Sequence, residues 1–347
     1  EVTLAAGDTW FKDFLALGLS SPRVDAEISS EDLALLQYTG GTTGLSKGAI
    51  AWHRNLAANA RQLQEWIPGL RDGEEVFITA IPLFHSYGMV TAMLLPISIA
   101  AKMVIIPDPR NLKDVIGSIQ DYGASFFPGV PAMYVAINNN PDVIAGKYDL
   151  TSIRACLSGS APLLVETKER FEELTGGKLV EGYGLTESHV VSHANPLDGS
   201  AETGQIGIPL PNTDCRIVDE ETETEEMPVG ERGVMCVSGP QVMQGYWNMP
   251  DATTDVLRAH PDGRIWLHTG DVAVMDETGR FTIVDRKKDM ILAAGGFNVY
   301  PREIEDALFE HPAVVDVGVI GVPVGGQDQR VKAFVVLEQG ASLTEGD

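Results

Sequence analysis

The stretch Tyr38-Thr39-Gly40-Gly41-Thr42-Thr43-Gly44-Leu45-Ser46-Lys47-Gly48 decides the fold. Its glycines let backbone N–H groups approach phosphate oxygens closely. Thr39, Thr42, Thr43 and Ser46 add hydroxyl donors, and Lys47 adds a cation. The spacing fits neither GxxxxGK[ST] nor GxGxxG. Taken alone, such a loop is as readily a plain turn as a phosphate cradle. Working outward, residues 33–38 read as a short buried strand entering it and 55–66 as a helix leaving it. Strand-like runs at 76–80, 102–106, 125–127 and 153–157 alternate with helical patterns at 112–122 and from Pro162 to 174. That alternation predicts an α/β fold, with a mostly parallel sheet covered on both faces. Residues 1–30 carry no clear pattern.

From about residue 205 to 285 short β-rich runs alternate with Gly and Pro turns, as at 216–218, 233–237 and 281–284, which reads as a small β-rich subdomain. After Arg286 the pattern returns to mixed α/β. A helix is expected over 301–309, with Pro at its first position, and strands near 314–320 and 331–337. The expected division is 1–204 as an α/β core, 205–287 as the β-rich subdomain, and 288–347 as a small, incomplete α+β C-terminal domain.

The composition is that of an ordinary globular protein: 347 residues, 44% hydrophobic, mean hydropathy +0.00. A formal net charge of -24 argues against a nucleic-acid partner, which needs a basic surface. A polyanionic ligand would have to be met by local donors. The acidic run 220–226 reads as a solvated loop. No apolar run is long enough to span a bilayer, residues 94–106 being short and interrupted by Lys102. Cys156, Cys215 and Cys236 form no CxxC pair and read as reduced, mostly buried thiols. The first residues lack the basic start and apolar core of a secretory signal, so a cytoplasmic location is expected.

Four further segments follow the Gly/Thr loop: Pro82-Leu83-Phe84-His85-Ser86-Tyr87-Gly88, Glu181-Gly182-Tyr183-Gly184-Leu185-Thr186-Glu187-Ser188, His268-Thr269-Gly270-Asp271, and Asp285-Arg286-Lys287-Lys288-Asp289-Met290-Ile291. In this order the five together resemble the adenylate-forming superfamily of acyl-CoA synthetases, luciferases and nonribosomal peptide adenylation domains. The stretch 285–305 is most similar to bacterial long-chain fatty acid–CoA ligases.

The resemblance implies a ligase that activates a carboxylic acid with ATP, releases pyrophosphate, and passes the acyl group from an acyl-adenylate to coenzyme A. Under it Thr39, Thr42, Thr43, Ser46 and Lys47 hold the β- and γ-phosphates. Glu187 is a Mg²⁺ ligand with Thr39 near the same ion, and Thr186 touches the α-phosphate. Gly159, Ser160, Ala161 and Pro162, with Glu181, Gly182, Tyr183 and Gly184, wall the adenine, Tyr183 stacking on it. Asp271 binds the ribose hydroxyls, backed by Arg286. His85 lies near the acyl carboxylate. Amino-acid-activating relatives commonly carry Asp at that place, so His85 argues against an α-amino acid. Residues 126–133, with Val130 and Met133 among them, and Gly159 line the acyl tunnel. His189 and His193 are weaker candidates, read as pocket or surface residues.

Lys288 is the implied hinge, and Gly295 the closest approach to the pantetheine arm of coenzyme A. Relatives place far more chain before the phosphate loop than the 37 residues that precede Tyr38, and carry a later lysine that has no match here. The expectation is therefore a chain truncated at both ends, weakly active or inactive by itself. A medium-chain or aryl acid:CoA ligase, an acyl-AMP ligase loading a carrier protein, and a non-catalytic module on the same fold are the alternatives. The run from Phe281 into Arg286 leaves no room for the insertion common in carrier-loading enzymes, and so favours coenzyme A. Peripheral membrane association and a homodimer stay open as partners.

Overall fold

A computed structural model describes residues 5, 7–22, 25–39, 46–200, 202–293, 297–309, 311, 313–325, 328–338 and 340–341. A helix the sequence did not announce, Phe11–Ser20, precedes the rest with none of its residues buried. Strands β1 (Leu33–Tyr38) and β2 (Gly48–Trp52) form an antiparallel pair that holds the two stems of the Gly/Thr loop side by side. The helix His53–Trp66 follows β2 directly, capped where Trp52 N–H donates to Asn55 Oδ1. It turns Asn55, Asn59, Gln62 and Leu63 inward.

The core sheet is parallel where expected. β3 (Val76–Thr79) pairs with β4 (Lys102–Ile105), and β5 (Ala155–Ser158) with β6 (Lys178–Tyr183). The run expected as a strand at 125–127 is reduced to single parallel bridges from Phe126 to Phe77 and to Ala155, which join the two pairs. Pro128 has no N–H and ends it. Helices Leu112–Tyr122 and Val165–Thr175 end at Gly123 and Gly176, both at positive φ. The second starts three residues later than Pro162 promised. Leu163 N–H donates to Glu181 Oε1, and Ser160 sits at φ 70, so residues 160–164 are held as a loop.

β6 continues antiparallel through β7 (His193–Ala194) to β8 (Ile208–Pro209). A separate antiparallel sheet follows, in the order β11 (Leu257–Ala259), β12 (Ile265–Met275), β10 (Arg232–Ser238), β9 (Asp214–Val218), with β13 (Phe281–Arg286) also on β12. One face buries Ile217, Met235, Val237, Ala273 and Phe281, the other Val218, Val234, Cys236 and Trp266. Beyond it β15 (Phe297–Val299), β14 (Ile291–Ala293), β17 (Asp328–Leu337) and β16 (Val314–Gly325) form a small sheet with the helix Pro301–Phe309. No helix among the described residues is long and apolar enough to cross a membrane.

Candidate active site

Parallel sheets bind ligands beyond the carboxyl ends of their strands. A cavity of about 800 Å³ lies there, lined by Leu157 of β5 with Gly159 and Ser160 just after it, and by Gly182 and Tyr183 of β6 with the following residues through Glu187. Thr39 and Lys47 enter from the Gly/Thr loop, His85 and Tyr87 from the second motif, and Arg286 and Lys288 from the fifth. Segments scattered over most of the chain therefore share one wall.

Pairing closes the base of the Gly/Thr loop. Thr39 N–H donates to Lys47 O (2.9 Å) and Ser46 Oγ donates to Thr39 O (2.6 Å). Thr42, Thr43 and Gly295 lie outside the described residues. Glu187 sits in a short helical turn with Thr186. Its carboxylate accepts the Tyr246 hydroxyl at 2.6 Å, and the Lys47 ammonium lies 5.0 Å from the centre of the Tyr246 ring. Tyr246 is buried, and its residue pairs with Ala49 of β2, which sets it beside Lys47. Burial, then the charge of Glu187, pushes the Tyr246 phenol well up, so it remains a donor.

Asp271 owes its position to a bulge. Val234 opposes Val272 and Cys236 opposes His268, so β12 inserts Thr269, Gly270 and Asp271 where β10 has one residue. Gly270 takes φ 76 at the turn. Asp271 is buried, and burial raises its carboxyl against the opposing pull of Arg286, whose Nε lies 2.7 Å from Oδ1. The Tyr183 hydroxyl donates to Oδ2. A second compartment beside this pair is lined by Ser160, Ala161, Pro162, Glu181 through Leu185, and Arg302. Glu181 enters it as a tie: its carboxylate accepts Leu163 N–H (3.1 Å) and Gly204 N–H (2.9 Å). Gly184 is obligatory, since a Cβ there would lie 1.1 Å from Val190 O.

Several expected residues lie away from the main cavity. Val130 and Met133 pack against the two main apolar clusters and do not line the cavity. Phe127 is core as well, edge-on to Tyr134, while Phe126 and Pro128 line a small, almost wholly apolar pocket with Leu63, Trp66 and Leu197. Neighbours in sequence on an irregular segment do not share a face. His189 and His193 are neither pocket nor surface residues: both are fully buried, and burial lowers them to about 4 and about 3. Tyr246 is the residue that sequence reasoning missed. Its only signal is an aromatic between Gly245 and Trp247, which reads as core.

The AMP-binding enzyme model matches residues 4–247, and the AMP-binding enzyme C-terminal domain matches 303–347. The chain belongs to the AMP-binding enzyme family. It is 46% identical over 325 residues to a long-chain-fatty-acid–CoA ligase of Bacillus subtilis, spanning 93% of this chain and 55% of that relative. ATP-bound MatB from Rhodopseudomonas palustris superposes with a TM-score of 0.84 at 35% identity, over 96% of this chain and 64% of that one. The o-succinylbenzoate coenzyme A synthetase of Bacillus subtilis, in complex with ATP and magnesium ion, gives 0.78 at 28% identity, over 93% and 64%. The chain thus spans a little over half the length of the curated relative it matches.

Proposed function

We propose that this family member serves an ATP-dependent fatty acid:coenzyme A ligase. The carrying observation is that the cavity lined by Lys47, Thr186 and Glu187 shares a wall, Ser160, Gly182 through Leu185 and Arg286, with a second compartment where Arg286 pairs with the buried Asp271. A carboxylate oxygen attacks the α-phosphorus of ATP, the bond to pyrophosphate breaks, and an acyl-adenylate forms. The sulfur of coenzyme A then attacks the acyl carbon, losing its proton as AMP departs. Both steps gather negative charge at phosphate, so positioned donors and cations should dominate the acceleration.

Lys47, Thr39 and Ser46 stand to hold the outer phosphates, Thr186 the α-phosphate, and Asp271 with Arg286 the ribose. Glu187 and Thr39 offer hard oxygen donors on one wall, a set that fits Mg²⁺. When bound, that ion supplies positive charge at the phosphate oxygens. His85 meets the acyl carboxylate beside the apolar surface of Tyr87, Leu157, Val190 and Val191. Residues from Lys288 onward are read as the mobile unit, with Lys288 its pivot, in a cytoplasmic enzyme. The name of the Bacillus relative supports a long-chain acid as substrate.

The test is acid-dependent AMP formation across fatty acids of increasing length, with and without coenzyme A. AMP and acyl-CoA rising together on long chains are expected. AMP without acyl-CoA would redirect the acceptor to a carrier protein, and no AMP with any acid would overturn the reading.

A further inference from the structure

The β-rich sheet assembles a second cluster of reactive side chains that the ligase chemistry does not use. Cys236 and His268 are direct cross-strand partners on β10 and β12, so their side chains leave the same face. That face also carries Val218, Val234 and Trp266. His260 comes from the tight connection between β11 and β12, where its N–H donates to Arg264 O at 3.0 Å. The connection folds the ring back over the sheet, 5.7 Å from Trp266 and 5.1 Å from His268, centre to centre. Cys236 is 0%, His260 4% and His268 7% exposed, and one donor atom from each lies within 4.8 Å of the others. His260 Nε2 and His268 Nε2 are 2.9 Å apart.

We propose that Cys236, His260 and His268 form a binding site for a thiophilic divalent ion of the Zn²⁺ class. Tetrahedral bonds of about 2.0–2.1 Å to nitrogen and 2.3 Å to sulfur set such donors roughly 3.3–3.7 Å apart. The three groups reach that spacing with shifts of roughly 1 Å. Two neutral imidazoles facing through Nε2 share one proton between them, and both Nδ1 atoms are buried without a partner among the described residues. No hydrogen bond there fixes either tautomer, so both Nε2 lone pairs can turn to a metal. The binding step is an exchange: the Cys236 thiol releases its proton to water as sulfur bonds the ion.

Each nearby cation is ion-paired, three cations sharing two carboxylates. Arg216 pairs with Asp262 at 2.7 Å, and Arg258 and Lys287 both pair with Glu223. Sulfur with two imidazoles selects a borderline-soft ion and rejects Mg²⁺, which keeps this site chemically apart from Glu187. Of the three, His268 also lines a compartment shared with Lys47, Glu187 and Lys288, the side from which an ion would enter. Because His268 begins the bulge that carries Asp271, occupancy would pin that bulge to β10.

The test titrates the metal-free chain with Co²⁺. One equivalent should give a thiolate-to-cobalt band in the near ultraviolet with tetrahedral visible bands. Zn²⁺ should erase both, and Mg²⁺ should not. Cys236→Ser should remove the near-ultraviolet band, and His260→Gln should weaken Co²⁺ binding by at least about tenfold. Cys215→Ser should leave the spectrum intact. Circular dichroism confirms that each variant is folded. A folded parent chain with no near-ultraviolet band at equimolar Co²⁺, a band that survives Cys236→Ser, or a band lost in Cys215→Ser would overturn the site. None of these readouts depends on ligase activity.

Discussion

Replacing Tyr246 with Phe removes one hydroxyl and nothing else. The ring keeps its packing against Ala49 and Met243 and its face toward Lys47. The hydrogen bond lost is the one at 2.6 Å to Glu187 Oε1. A hydrogen bond to a charged group contributes about 1.5–3 kcal/mol. Without it Glu187 is free to rotate away from the orientation in which it would take Mg²⁺. If that orientation is needed only when phosphate and ion are in place, the whole loss appears in catalysis. At about 1.4 kcal/mol per factor of ten, kcat/KM for Mg·ATP should fall roughly 10- to 100-fold. The Mg²⁺ concentration at half-maximal rate should rise with it, while the thermal midpoint moves by only a few degrees. The assay is pyrophosphate release with acid saturating and Mg²⁺ titrated. A folded Tyr246→Phe protein whose kcat/KM stays within about twofold of the parent, with an unchanged Mg²⁺ midpoint, would remove Tyr246 from the reasoning.

Gly184→Ala should cost several kcal/mol, because its methyl would collide with a backbone carbonyl that Val190 holds in place, and a urea midpoint equal to the parent's would contradict this. Lys288→Pro should spare acid-dependent pyrophosphate release yet block thioester formation, since a fixed φ freezes a pivot, and equal loss of both half-reactions would count against a pivot at that residue. Acidification should destabilise the fold through His189 and His193. Their folded pKa values are depressed from 6.5 to about 4 and about 3 by burial, so the stability they contribute is present above about pH 6.5 and is lost as pH falls toward those values. Asp271, raised by burial, acts with the opposite sign and only softens the trend. Urea midpoints at pH 7 and pH 5 should therefore differ, with a shallower dependence in His193→Gln, and identical midpoints would refute it.

What was legible in the sequence was whatever is decided locally. The helix at 112–122 is read from its helical pattern, and that at 301–309 from its leading proline. Both match the structure residue for residue. The helix expected from Pro162 starts late, at Val165, because a carboxylate from β6 takes the Leu163 amide, a contact 18 residues away that no local signal carries. The strand at 125–127 shrinks to Phe126 because its pairing on both sides is set by other strands. Val130 and Met133 follow the same logic in reverse: sequence proximity to Phe126 says nothing about which way an irregular segment turns its side chains.

Functional residues divide along the same line. Lys47, Glu187 and Asp271 became candidates only because the five segments, taken together and in order, resemble the family; singly, Glu187 reads as a solvated carboxylate and Asp271 as a turn residue. Tyr246 could not become one, because its meaning lies in a hydroxyl that reaches Glu187 across 59 residues of chain. The Cys236–His260–His268 cluster is more extreme, since its spacing matches no metal motif and only the register of β10 on β12 makes the first and last neighbours. The bulge that sets that register also turns Asp271 toward Arg286. One local distortion thus positions both the proposed soft-donor site at its start and the Asp271–Arg286 ion pair at its end. A change that removed the bulge, such as Gly270→Val at φ 76, should damage both together, whereas Cys236→Ser should leave the Asp271–Arg286 pair in place.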